Sequence, residues 1–185
     1  MTARDIIDLP IPQASGMGIE LRVMSDADLV FTAQVYAATR QEELAVTGWP
    51  QAQIDAFLAQ QHAAQHHHYT THYPGLARYA IRRAGDDVGR LYLYIGQDDV
   101  RIVDIALLPP ARNRGIGAAL LTDIIAYAAS RAMRVSIHVE RNNPARRLYE
   151  RCGFTRVANA NGLYELMAWH PPGHPLGATM GAGNQ

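Results

Sequence analysis

The chain has 185 residues, 48% of them hydrophobic, and a formal net charge of zero. That length suits one domain with a buried core. No apolar run approaches the roughly 20 residues a membrane span needs, residues 1–13 carry Asp5 and Asp8 where a secretory signal would be apolar, and a lone Cys152 excludes an internal disulfide framework and fits a reducing compartment. The expectation is a soluble cytoplasmic protein.

In chain order, residues 1–18 hold Pro10, Pro12, Gly16 and Gly18 and read as a loose arm. Ile19 to Met24 alternates as a strand does. Ser25-Asp26-Ala27-Asp28 follows as a capping-box-like helix start, and Leu29, Ala33, Tyr36, Ala37 and Leu44 recur at helical spacing. Thr47-Gly48-Trp49-Pro50 ends that helix and opens a second one, which runs toward Tyr69. Leu76–Ala84, Val88–Ile95 and Val100–Leu108 read as three strands of an antiparallel meander, separated by Gly85-Asp86-Asp87 and Gln97-Asp98-Asp99. An amphipathic helix follows through Ile116, Leu120, Ile124, Ile125 and Ala128, then a short strand over Val135–Val139. A helix opens at Pro144 behind Asn143 and ends at Gly153. A hairpin closes the pattern, with Phe154–Asn159 and Leu163–Trp169 around Asn161-Gly162. From Pro171 the tail is rich in proline and glycine, the composition of a disordered segment. The fold class is therefore α+β, with a mixed, mostly antiparallel sheet and one crossover helix after the fourth strand. The expected organisation is an arm over 1–18, a domain over 19–170 and a flexible tail over 171–185.

Charge is unevenly placed. Residues 101–156 hold ten arginines against four acids, a surplus of six that the rest of the chain cancels. Such a half attracts anions. The arginines are not clustered in runs, and their helix lacks interleaved aromatics, so a compact polyanion suits them better than nucleic acid.

The stretch PARNRGIGAALL, residues 110–121, places glycines at the start of a helix. The first helical N–H groups lack intrahelical partners and carry the positive end of the helix dipole. Glycines let a ligand approach the backbone, and Arg112 and Arg114 add charge-assisted bonds. Together they suit a diphosphate. A Walker loop needs a lysine, and the chain has none. A dinucleotide fingerprint needs Gly or Ala where Leu120 stands. What remains is Arg-x-x-Gly-x-Gly, met by Arg112, Gly115 and Gly117.

Downstream lies NNPARRLYERCGF, residues 142–154. Together the two segments resemble the GNAT superfamily of acyl-CoA-dependent N-acyltransferases. That family couples the arginine-glycine loop to an N-x-x-A-x-x-L-Y-x-x-x-G-F segment, matched here by Asn142, Ala145, Leu148, Tyr149, Gly153 and Phe154. The resemblance implies a sheet of about seven strands with about four helices, and acetyl-CoA as co-substrate with no metal. The strand Ile102–Leu108 would splay from Val135–Val139 and pair with the pantetheine arm through Ile105, Ala106 and Leu107. Amides of Asn113, Arg114, Gly115, Ile116, Gly117 and Ala118 would hold the pyrophosphate. Asn142 would contact the cofactor, and Tyr149 would be both a cofactor contact and the general acid.

The acceptor would be a primary amine of a small molecule or peptide, in a protein that engages no nucleic acid or membrane; a homodimer is compatible with this. Attack by a neutral amine needs a proton acceptor. Asp104, an acid inside an apolar strand, is the first candidate, and Glu140 the second. Glu42, Glu43 and Trp49 are positioned to bind the acceptor. The alternatives are another acyl-CoA, a protein N-terminus as acceptor, or a non-catalytic acyl-CoA-binding module. Cys152 reads as a structural thiol. His62, His66, His67, His68 and His72 have pairs at metal-ligand spacing but no third ligand nearby, and read as a solvated helix face.

Overall fold

One strand near the N-terminus and six in the C-terminal two thirds of the chain build a seven-stranded sheet. The computed structural model describes residues 7–160 and 164–173. Its strands are β1 (Ile19–Val23), β2 (Ala77–Arg83), β3 (Asp86–Ile95), β4 (Asp99–Leu107), β5 (Arg134–Glu140), β6 (Thr155–Ala160) and β7 (Tyr164–Trp169). They lie in the order β1-β2-β3-β4-β5-β7-β6. Every pairing is antiparallel except β4 with β5. The helices are α1 (Pro12–Ser15), α2 (Leu29–Ala45), α3 (Gln51–His72), α4 (Ile116–Ala129) and α5 (Arg146–Arg151). Apart from α1, this is the element order expected from the sequence, and α4 is the crossover between the two parallel strands.

The helices divide between two apolar clusters. Residues from α1, α4 and α5 pack with Leu91, Leu93, Ile102, Val135 and Ile137 into the main core. Tyr92, Met24 and Ala80 form a second cluster, against which Phe31 of α2 and Tyr69 of α3 pack. Ser25 starts the segment before α2 as its sequence promised: its N–H donates to Asp28 Oδ2 at 2.8 Å, and its Oγ accepts from the Ala27 N–H at 3.3 Å.

One expectation changes. Residues 7–18 are docked, not loose. Leu9 and Ala14 are buried, and the N–H groups of Gln13 and Ala14 donate to the two carboxylate oxygens of Asp123 at 3.0 and 2.9 Å. Asp123 lies on α4 and is 2% exposed. The carboxylate satisfies N–H groups that the first turn of α1 leaves without intrahelical partners. The turn Asn161-Gly162 lies outside the described residues. So does the tail from residue 174; Pro171, at its start, is buried.

Close approach governs β3 and β4. A Cβ at Gly89 would stand 2.4 Å from the Ala106 carbonyl oxygen and 2.8 Å from Leu107 Cδ2, so only glycine fits there. Farther along, the register slips between Tyr92 and Leu93: Tyr92 opposes Asp104 and Leu93 opposes Ile102, which leaves Val103 as an extra residue on β4. A bulge of this kind bends a strand and re-aims its side chains.

Candidate active site

The bulge coincides with a fork in the sheet. β4 and β5 are paired from Asp99↔Arg134 to Ile102↔Ile137 and no further. Beyond that point β4 continues to Leu107 on its β3 side, and β5 continues to Glu140 on its β7 side. Their facing edges are left without each other as partners, and edge N–H and C=O groups are templates for an extended ligand. Ile105, Ala106 and Leu107 stand on the β4 edge, where the sequence placed them.

The loop at the C-terminal end of β4 presents donors. Asn113 and Gly115 both adopt left-handed backbone, with φ of 58° and 80°. Gly115 is the N-cap of α4 and offers no side-chain cap. Among the described residues, the N–H groups of residues 113–118 find no acceptor, so the helix start is an open cluster of donors at the positive end of a dipole. Met17 from the docked arm lies beside Gly115, and a Cβ on Gly117 would meet Leu148 Cδ2 at 3.3 Å. The two sequence motifs therefore touch in space at Gly117 and Leu148.

Arg112 serves the frame of this loop. Its Nε donates to the Leu107 carbonyl and its Nη2 to the Ala38 carbonyl, each at 2.9 Å. It thus ties the end of β4 to α2, while Arg114 is exposed. Asn142 lines an open cleft of about 460 Å³ together with Arg141, Asn143, Pro144, Arg146 and Arg147. This cleft concentrates part of the basic surplus that the sequence showed.

Tyr149 stands on α5, is 4% exposed, and belongs to the main core beside Phe154. Burial raises its hydroxyl pKa far above the usual tyrosine value, and the charge of Asp104 pushes the same way. Its hydroxyl donates to no described residue. Asp104 projects from β4 next to the bulge, and its Oδ2 meets Arg90 Nη2 at 2.5 Å. Burial raises the Asp104 carboxyl pKa, against the pull of Arg90. Tyr149 thus packs in the main core, whereas Asp104 meets an arginine that is bonded to α2 and α3.

Glu140, at the end of β5, accepts from Arg40 Nη2 at 3.0 Å and from the Tyr164 hydroxyl at 3.1 Å. Arg40 also pairs with Glu43 at 2.9 Å. This cluster joins α2, β5 and β7 on one side of the fork. Trp49 is 39% exposed and packs edge-on to Phe57. Of Glu42 the structure describes the helical backbone only. Cys152 is half-buried and packs against the main core, with its thiol pKa raised by burial.

Sequence reasoning missed Arg90, Arg40 and Tyr69. None of the three belongs to a motif, and the register sets Arg90 opposite Ala106, diagonal to Asp104. His62 departs from the solvated face expected of the histidines: it is 9% exposed, and its Nε2 lies 3.0 Å from Thr32 Oγ1. Among the described residues, no group of three or more His, Cys, Asp or Glu side chains is placed to hold a metal ion, and no helix is long and apolar enough to cross a membrane.

An α+β sheet forked between its two parallel strands, with an uncapped glycine-started helix at the fork's end, defines a class of acyl-transfer fold. The model of the acetyltransferase (GNAT) family matches residues 37–154. The chain belongs to that family. Solved structures agree on the fold. The PaiA N-acetyltransferase of Thermoplasma acidophilum, in complex with coenzyme A, superposes with a TM-score of 0.62 at 16% identity, covering 82% of this chain and 98% of that one. The spermidine N-acetyltransferase of Vibrio cholerae, in complex with coenzyme A and spermine, gives 0.56 at 19% identity over 83% and 96%. RimL, a ribosomal L7/L12 alpha-N-protein acetyltransferase in complex with coenzyme A, gives 0.57 at 17% identity over 88% and 97%. No curated protein sequence matches.

Proposed function

We propose that the chain moves the acetyl group of acetyl-CoA to a primary amine of a small molecule or peptide by direct attack. The observation that carries this reading is the fork between β4 and β5, with the open cluster of amides at the start of α4 standing at the end of β4. Acetyl-CoA supplies an acetyl thioester already activated toward nucleophiles. The amides of residues 113–118, with Arg114, suit its pyrophosphate, and Arg112 braces the loop that presents them. The free edge of β4 at Ile105, Ala106 and Leu107 suits the pantetheine amides, and Asn142 lines a basic cleft suited to the cofactor's anionic end. Solved relatives bound to coenzyme A support this assignment.

The reaction needs a neutral amine. An alkylamine with pKa near 10.4 is mostly protonated at pH 7, and neutralising it costs roughly 4–5 kcal/mol. Asp104, its carboxyl pKa raised by burial, takes that proton directly or through one water. The nitrogen–acyl bond forms, the carbon–sulfur bond breaks, the leaving thiolate takes the Tyr149 proton, and the second proton, shed by the acylated nitrogen, returns through water to the Tyr149 oxygen. A hydroxyl kept protonated by burial is an acid ready for this step. Glu140 is the second candidate base; Arg40 and Tyr164 already hold its carboxylate. The acceptor side lies between α2 and α3, with Glu42, Glu43 and Trp49 near its rim. Relatives named for spermidine and for a ribosomal-protein N-terminus both take amines, which supports the acceptor class. A single free cysteine fits work in the cytoplasm.

The test is release of coenzyme A thiol from acetyl-CoA with spermidine, tyramine and a short peptide with a free N-terminus. Tyr149→Phe should lower kcat by about 10²–10⁴-fold, the range of general acid catalysis, with acetyl-CoA affinity unchanged. An unaltered kcat removes Tyr149 from the chemistry.

A further inference from the structure

Arg90 is 2% exposed in the middle of β3. Its guanidinium reaches three elements at once. Nη1 donates to the Thr32 carbonyl of α2 at 3.0 Å, and Nη2 donates to Gln65 Oε1 of α3 at 2.8 Å. Nη2 also meets Asp104 Oδ2 of β4. The plane of the guanidinium lies over the Tyr92 ring, 5.4 Å from its centroid. For stability alone, a buried ion pair gains little over apolar side chains of the same volume. The placement of this one is what stands out. Its partner Asp104 stands just past the bulge and beyond the last β4–β5 pair, Ile102↔Ile137.

Resting on the acetyl-transfer reading above, we infer that Arg90 is a positioning residue for proton removal: its guanidinium pairs with the Asp104 carboxylate just past the last β4–β5 pair and ties its orientation to both acceptor-side helices. Arginine suits this task because its planar donors are fixed relative to one another, whereas a lysine ammonium is a point charge on a flexible stem. The groups that face Asp104 are few. Arg90 and Tyr92 come from β3, Tyr69 from α3 and Tyr149 from α5. The three tyrosines are neutral, their hydroxyl pKa values raised by burial. Arg90 is therefore the one charge among these groups that favours the ionised carboxylate, against the effect of burial. His62 extends the same network, since its ring bonds the Thr32 side chain whose carbonyl Arg90 grips.

The experiment uses the full chain as wild type, Arg90→Met and Arg90→Lys. Asp104 is titrated by carboxyl carbon NMR, its signal assigned from Asp104→Asn. In parallel, kcat for thiol release from acetyl-CoA is followed against pH with spermidine, tyramine, a free-N-terminus peptide, and water alone. In Arg90→Met the charge is gone, so the Asp104 titration should rise by about 1–3 pH units. The base then protonates sooner as pH falls, and the acidic limb of kcat should rise by the same amount. Arg90→Lys keeps the charge but not the fork, so its limb should stay at the wild-type pH while kcat falls at least tenfold. Affinity for acetyl-CoA, measured calorimetrically, should be unchanged in both. A carboxyl titration that moves without the kinetic limb makes Arg90 merely structural and overturns the inference, as does a titration that does not move in folded Arg90→Met. If Arg90→Met does not fold, a wild-type kcat in Arg90→Lys overturns it and a lowered kcat at an unshifted limb supports it. Loss of acetyl-CoA binding by the wild type would instead count against the reading of the site as a whole.

Discussion

Tyr149 joins packing to the proposed chemistry. Its ring fills the core beside Phe154, and the burial that stabilises the ring also keeps the hydroxyl protonated. His62 shows the reverse case, a titratable group used for packing. Burial lowers its pKa below the usual histidine value, and the nearby Arg90 and His66 push the same way. A base whose folded pKa is depressed takes up protons less readily than in the unfolded chain. Its contribution is full above about pH 6.5, the unfolded value, and is lost as pH falls below that toward the folded value. The melting temperature should therefore drop between pH 7 and pH 5. His62→Gln, which keeps a polar partner for Thr32, should flatten that slope. It should not abolish it, because His66 and His138 are shifted in the same direction. An identical slope in the variant would mean that His62 does not titrate in that window. The motif residues were legible because glycine and asparagine at fixed spacing answer to backbone geometry. Arg90 and Arg40 were not singled out, because an arginine in a strand or helix has no local signature; only the hairpin register brings Arg90 to Asp104.

At the scale of elements, α4 links two parts of the molecule. Its first turn presents free amides, and one of its buried residues, Asp123, fastens the segment over residues 7–18. That segment in turn sets Met17 beside Gly115. Asp123→Ala removes the acceptor for two N–H groups, one of them buried, and leaves them to water or to nothing. The cost should be about 1–3 kcal/mol, seen as a lower melting temperature and as faster proteolysis N-terminal to β1. A variant as stable and as resistant as the wild type would show that the segment is held by Leu9 and Ala14 alone. The sequence read this segment as loose because prolines and glycines break periodicity. Its partner is more than a hundred residues away, and no local pattern records such a contact. The strands were read correctly for the opposite reason. Alternation is a local property, and the turns at Gly85-Asp86-Asp87 and Gln97-Asp98-Asp99 punctuate it. The bulge at Val103 was invisible, since one extra residue leaves composition and approximate period intact.

For the whole molecule, the sheet order and the single parallel pairing decide where a ligand can enter. The crossover through α4 makes β4 and β5 neighbours. The bulge and the end of their pairing open them, and the uncapped helix start lies at the end of β4. Part of the basic surplus of residues 101–156 gathers in one cleft, lined by Arg141, Arg146 and Arg147. Each of these features points to a long ligand with an anionic end, and only the family's cofactor class combines a pyrophosphate with an extended amide arm. Identity of the acceptor is written in side chains of α2, α3 and their junction, which follow no motif. The measurement that tests this account most directly is calorimetric titration of the full chain with acetyl-CoA, coenzyme A, NAD and ATP in parallel. Micromolar binding of acetyl-CoA and coenzyme A, with no comparable heat from NAD or ATP, is the predicted result. Well-folded protein that binds neither acetyl-CoA nor coenzyme A would contradict it.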